Sequence, residues 1–149
     1  MLDRTHPAFF FGFPMTTLKT FIVEDSSVIR ENLEAALKDL VPMEVVGTAD
    51  DERSAVDWLA ETGNHADLVI VDIFLKNGSG LGVLSAIKSM PRHQFIVVLT
   101  NFATPEMSRK CLELGANRVF DKSNEIDELV LYCSRLAEGV GGDAAVAST

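Results

Sequence analysis

Stretches of apolar residues without alternation punctuate the chain: Phe21-Ile22-Val23, Leu68-Val69-Ile70-Val71, Phe95 to Leu99 and Val119-Phe120. A strand that is apolar at successive positions is buried on both faces, the condition of a parallel sheet covered by helices. Thr17 to Val23 is therefore predicted as the first strand, Met43 to Thr48 as a second at the sheet edge, and the remaining runs as strands three to five. Between them the apolar period changes to three and four residues, which gathers side chains on one side of a helix. The first helix is predicted from about Ser26 to Leu40, with Ile29, Leu33, Ala36, Leu37 and Leu40 inward and Pro42 beyond its end. Asp50 or Asp51 caps a second helix that runs to about Thr62, burying Val56, Leu59 and Ala60. A short third helix spans about Gly80 to Ser89. Thr104 caps and Pro105 opens a fourth, with Met107, Cys111 and Leu114 inward, before Gly115 stops it. Ser123 or Asn124 caps the last, whose inner face takes Ile126, Leu129, Val130, Cys133 and Leu136.

Alternation of strands and helices argues for an α/β, doubly wound parallel sheet with right-handed crossovers. In such sheets ligands bind at the carboxyl ends of the strands, beside the point where strand order reverses. Trp58 needs no ligand in this reading, because a lone aromatic on an amphipathic helix is ordinarily packing.

Composition narrows the setting. At 149 residues and 47% apolar content the chain is long enough for one core, predicted over residues 17–138. Residues 1–16 hold a short apolar run, Ala8 to Phe13, that lacks the features of a signal peptide. Two explanations stand for them: an upstream extension of a chain that starts at Met15, which is preferred, or a segment that docks on the domain or a partner. Residues 139–149 are small and polar enough to be expected as a disordered tail, with no output domain after the core. The formal charge of −9, without any basic run to offset it, argues against direct nucleic-acid binding and for protein partners. No apolar run approaches the roughly 20 residues of a membrane span, so no membrane insertion is expected. Cys111 and Cys133 both fall on apolar helix faces, as buried reduced thiols of a cytoplasmic protein do.

The chemistry sits where the strands stop. Strand one runs into Glu24 and Asp25, strand three into Asp72, strand four into Thr100, and strand five through Asp121 to Lys122. Taken singly, each has a plain explanation: Asp is common after strands, Lys on surfaces, Thr within strands. Jointly they form a set, because three carboxylates in one crevice repel unless a cation intervenes. Asn77-Gly78-Ser79-Gly80 lacks the spacing of a nucleotide-binding loop and is read as a turn that brings backbone close to Asp72.

This constellation resembles the receiver domain of two-component response regulators, in the stand-alone form of chemotaxis receivers, over about residues 18–137. The resemblance implies a flavodoxin-like sheet of order 2-1-3-4-5 with five helices, and with Asp25 facing Asp72. It implies Asp72 as phosphoacceptor for a phosphohistidine on a sensor histidine kinase or histidine phosphotransfer protein. It further implies one Mg²⁺ held by Asp25, Asp72 and the backbone carbonyl of Phe74, with Glu24 acting through water, and Lys122 and Thr100 engaging the phosphoryl oxygens. The output would be contact with an unidentified downstream protein or onward relay, and no separate enzymatic activity. Several positions depart from the family's usual pattern. Val119 stands where an aromatic switch residue is frequent, Ser123 and Lys76 replace common prolines, and Asn101 follows Thr100 where small residues are usual. Phe74 and Phe102 occupy the two positions that in the family tune hydrolysis of the acyl phosphate, which implies a long-lived phosphorylated state if the rings cover the site; the alternative is that both turn away toward a partner-binding surface and leave it open. Two other readings are carried along: a phosphorylation-independent docking module with this fold, and a haloacid-dehalogenase-like phosphatase. The latter wants a second Asp where Phe74 stands.

Overall fold

In the computed structural model, which describes residues 17–91 and 94–139 and the backbone pairing of Phe9–Phe10 with Phe13–Pro14, the apolar runs form one parallel sheet. Its strands are β1 (Leu18–Val23), β2 (Met43–Ala49), β3 (Leu68–Val71), β4 (Phe95–Thr100) and β5 (Arg118–Asp121), in the order β2-β1-β3-β4-β5. The helices between them are α1 (Ser27–Leu40), α2 (Glu52–Ala60), α3 (Gly80–Lys88), α4 (Pro105–Glu113) and α5 (Ile126–Glu138). Expectations for the N-terminal extension and for the tail beyond Gly139 fall outside the described residues, apart from that pairing. Among the described residues no helix is long and apolar enough to cross a membrane.

Why the central strands lack alternation is visible in the packing. Val69 and Val71 face one core with Phe21, Val23 and Val98, covered by Ala55, Leu59, Val83, Leu84, Ile87 and Cys111 of α2, α3 and α4. Leu68 and Ile70 face the opposite core with Ile22, Val97 and Leu99, covered by Leu33, Leu37, Leu129, Cys133 and Leu136 of α1 and α5. Successive residues of a strand point to opposite faces, so both parities must be apolar. The two cysteines lie in different layers. Both are free and buried, and burial pushes their thiols up, Cys133 to about 12.

Trp58 is packing, as expected: its ring stacks on Phe21 with centroids 4.1 Å apart and planes 8° from parallel. Gly47 on the edge strand leaves the space, since a Cβ there would lie 2.6 Å from the indole nitrogen.

The inward stripe of α1 is narrower than its sequence implies. Leu33 and Leu37 are buried, whereas Ile29, Ala36 and Leu40 are exposed. Two helices share this face of the sheet, so α1 meets it along a single i, i+4 row. At the helix end the chain turns extended and Val41 takes the buried place expected for Leu40. On α2 the buried row is Ala55 and Leu59, and Ala60 points out. Caps follow the sequence at Asp51 and Thr104 but not on α5. There Glu125 holds the cap position without a side-chain bond to the helix, because its carboxylate accepts from Asp121 N–H and its own N–H donates to Asp121 O in the preceding turn.

Candidate active site

The register delivers the strand ends to one line. Val23 pairs with Val71, Val71 with Val98, and Thr100 with Asp121. Each ladder then extends by one hydrogen bond into the site: Glu24 N–H to Ala49 O at 2.9 Å, Asp72 N–H to Val23 O at 2.9 Å and Lys122 N–H to Thr100 O at 3.0 Å. The functional side chains therefore hang from the sheet itself and not from free loops. Gly80 lets α3 start close behind the site, where its backbone passes so near the Asp72 carbonyl that any Cβ would collide with it.

Lys122 is the centre of charge. Its Nζ lies 2.9 Å from Asp72 Oδ2 and 2.6 Å from Glu24 Oε1. Glu24 is only 3% exposed and Asp72 7%. The second oxygen of Glu24 accepts from Ser26 N–H at 3.0 Å, and Ser26 in turn caps α1. The Arg30 guanidinium donates to the Glu24 carbonyl at 3.0 Å. Asp25, half-buried, brings a carboxylate oxygen into a group in which one oxygen each of Glu24, Asp25 and Asp72 all lie within 4.8 Å of one another. Three carboxylates thus face one ammonium.

Thr100 is buried at the end of β4, and its Oγ1 accepts from Phe102 N–H at 3.2 Å. Phe74 follows Asp72 by two residues and its N–H makes a long bond, 3.4 Å, to Asp72 Oδ1. The Phe74 and Phe102 rings meet, with centroids 4.8 Å apart and planes 59° from parallel. They join the loop after β3 to the loop after β4. Val119 is half-buried, and Lys76 pairs with Asp50 at 3.0 Å. All six residues expected at the site, Glu24, Asp25, Asp72, Phe74, Thr100 and Lys122, are brought to this edge.

The family model for the response regulator receiver domain matches residues 20–133, most of the chain. The chain belongs to that family. Fimbriae Z protein of Salmonella typhimurium (strain LT2) is 27% identical over 115 residues, 77% of this receiver and 54% of that protein. The phosphorylated cyanobacterial phytochrome response regulator RcpA superposes with a TM-score of 0.68 at 27% identity, covering 81% of this chain and 91% of the other. A two-component response regulator of the LuxR family from Aurantimonas sp. SI85-9A1 reaches a TM-score of 0.74 at 24% identity, over 83% and 87% of the two chains, a likeness of fold. This chain spans between 29% and 54% of the length of four curated relatives that it matches.

The contact that sequence reasoning missed in this receiver is the direct pair between Glu24 and Lys122. Glu24, expected to act on a cation through water, also has both oxygens taken by donors of the chain. The pair sets the electrostatics. Burial lifts the Glu24 carboxyl above its ordinary value, countered in part by hydrogen bonds from Lys122 and Ser26. Burial works against the charge of Lys122, but its bonds to Glu24 and Asp72 outweigh that and hold the ammonium above its usual range.

The folded receiver thus binds the Glu24 proton more tightly than the unfolded chain does. The stability this contributes is fully present below the unfolded value of 4.5 and is lost as pH rises through the raised folded value. In metal-free buffer, the urea-unfolding free energy of the wild type minus that of Glu24→Gln is expected to fall as pH rises above the unfolded value of 4.5. A difference that stays flat or grows with pH would contradict this account of Glu24.

Proposed function

We propose that this receiver takes a phosphoryl group onto Asp72 from a phosphohistidine of a sensor histidine kinase or histidine phosphotransfer protein. The observation that carries the reading is the Lys122 ammonium 2.9 Å from Asp72 Oδ2, at the end of the central strand, with the Thr100 hydroxyl on one neighbouring strand and the acid pair on the other. Phosphoryl transfer passes through a loose transition state, so positioning and neutralisation of charge dominate over nucleophile strength. An Asp72 carboxylate oxygen forms the bond to phosphorus while the P–N bond to the imidazole breaks. The electron pair of that bond leaves on the imidazole nitrogen, which takes up a proton. Lys122 already neutralises the attacking carboxylate and is placed to follow its charge onto the phosphoryl oxygens. Thr100 is placed to donate its hydroxyl to another of them.

The donor set fits a hard divalent cation such as Mg²⁺. Only oxygens are offered, Asp25 and Asp72 Oδ1 are the carboxylate groups that Lys122 does not engage, and the cluster carries excess negative charge. Asp25, Asp72 and the Phe74 carbonyl would hold the ion, with Glu24 behind them. When bound, it would offset the repulsion among the carboxylates and the charge of the incoming phosphoryl group. The signal would pass by protein contact or onward relay. The acidic chain argues against nucleic acid as a direct partner, and two buried free thiols support a reducing, cytoplasmic setting.

Intact-mass spectrometry after incubation with acetyl phosphate and Mg²⁺ is expected to show one added phosphoryl group, absent when EDTA is present. Undiminished labelling in EDTA would refute the metal requirement. Mg²⁺ is also expected to raise the melting temperature, because a ligand of the folded state alone stabilises by about 2.7 kcal/mol at a hundredfold excess over its Kd. Asp25→Ala should lose most of that shift. A melting temperature unmoved by saturating Mg²⁺ would count against a site built on these carboxylates.

A further inference from the structure

The loop that follows Asp72 is held from outside the site. Within the loop, Phe74 bridges to Ser79 as a short antiparallel pair, and Gly80 N–H donates to Ile73 O at 2.8 Å. The β2–α2 connection and the first residue of α2 grip this hairpin at three points. Asp50 pairs with Lys76 at 3.0 Å, Glu52 N–H donates to Asn77 O at 3.0 Å, and Glu52 Oε1 accepts from Ser79 N–H at 2.9 Å. The first is an exposed ion pair of the kind that contributes little. The other two belong to Glu52.

Space around Glu52 is set aside for it. At Gly82, one turn into α3, a Cβ would collide with the Glu52 carboxylate, and at Gly78 a Cβ would lie 2.5 Å from the Glu52 Cβ. Gly78 is also in the left-handed region at φ 81, where side chains are strained. Glycine in a helix interior is unfavourable by roughly 0.5–1 kcal/mol relative to alanine. Gly82 carries that disadvantage in α3, and the carboxylate occupies the vacated volume.

We infer that Glu52 is a positioning residue for phosphoryl transfer, acting through Ser79 and the Phe74–Ser79 bridge to fix the backbone that carries Phe74 beside Asp72. The inference rests on the phosphoacceptor reading above. Freed from Glu52, the hairpin would lose the charge-assisted bond that holds Ser79, and misplacement by about an ångström near reacting atoms slows reactions by up to two orders of magnitude.

The test measures the initial rate of labelling by acetyl phosphate at saturating Mg²⁺, together with hydrogen exchange at the Ser79 amide, in the full chain below its melting temperature. Glu52→Ala is expected to slow labelling about tenfold and to speed Ser79 exchange. Glu52→Gln, which keeps a carbonyl acceptor at the same reach, should restore both. Gly82→Ala, which expels the carboxylate, should reproduce the loss, and added to Glu52→Ala it should slow labelling no further, because both changes remove one interaction. A purely structural role would lower the melting temperature and leave the labelling rate of the folded protein unchanged. Wild-type labelling matched by Glu52→Ala would overturn this inference alone, whereas a wild type that is never labelled would overturn the phosphoacceptor reading and this inference with it.

Discussion

Asp72→Asn is expected to abolish phosphoryl incorporation while leaving the receiver folded. The substitution keeps shape and volume at a buried position, but an amide oxygen is a far poorer nucleophile than a carboxylate and yields no stable acyl phosphate. Stability should not suffer, because three carboxylates face one ammonium in the unlabelled protein and the change removes one of them. Lys122 keeps its 2.6 Å pair with Glu24 and can still donate to the amide oxygen that takes the place of Asp72 Oδ2. Mass spectrometry should find labelling below detection, and thermal melts in metal-free buffer should find a melting temperature equal to or above that of the wild type. Equal labelling of the variant would place the acceptor elsewhere. A large fall in melting temperature would show that Asp72 serves the fold before it serves chemistry.

Once formed, the phosphoryl group on Asp72 is expected to persist for longer than in variants that open the site. Hydrolysis needs a water in line with the bond to phosphorus, and such a water must be held by polar neighbours. The two positions that the family resemblance assigns to tuning this hydrolysis carry Phe74 and Phe102, whose rings touch across the two loops. Neither ring accepts or donates a strong hydrogen bond, so neither can hold such a water in place. Each is about half exposed, 52% for Phe74 and 56% for Phe102, so their outer faces meet solvent while their inner edges meet each other. Replacing either ring with a polar side chain opens the path and supplies a partner for water. Decay measured after removal of the donor should quicken roughly tenfold or more in Phe74→Asn and Phe102→Glu. A wild type that decays as fast as these variants would show that the rings leave the bond unprotected.

Much of this site was readable from residue types at the ends of apolar runs. Leu68-Val69-Ile70-Val71 without alternation implies burial on both faces, hence a central parallel strand, hence a site at its carboxyl end. The order of the strands was not readable in that way. It came with the family resemblance, since periodicity places strands but does not say which are neighbours. The Glu24–Lys122 pair and the Glu52 anchor escaped for a different reason. Both join residues far apart in sequence, Glu24 to Lys122 and Glu52 to Ser79, and no local pattern marks such a contact. The exposed Ile29, Ala36 and Leu40 of α1 show the limit of apolar spacing as a guide. It marks which residues lie on one side of a helix, and the neighbouring α5 decides how many of them the sheet has room to cover.

The most direct measurement is reductive trapping of the labelled protein. Borohydride reduces an aspartyl phosphate to homoserine, so peptide sequencing after acetyl phosphate and Mg²⁺ treatment reads the acceptor by position. Homoserine at residue 72 and at no other aspartate is the result predicted here. Homoserine at Asp25 or elsewhere, or none in protein that has gained a phosphoryl group, would contradict the assignment of Asp72 as the phosphoacceptor.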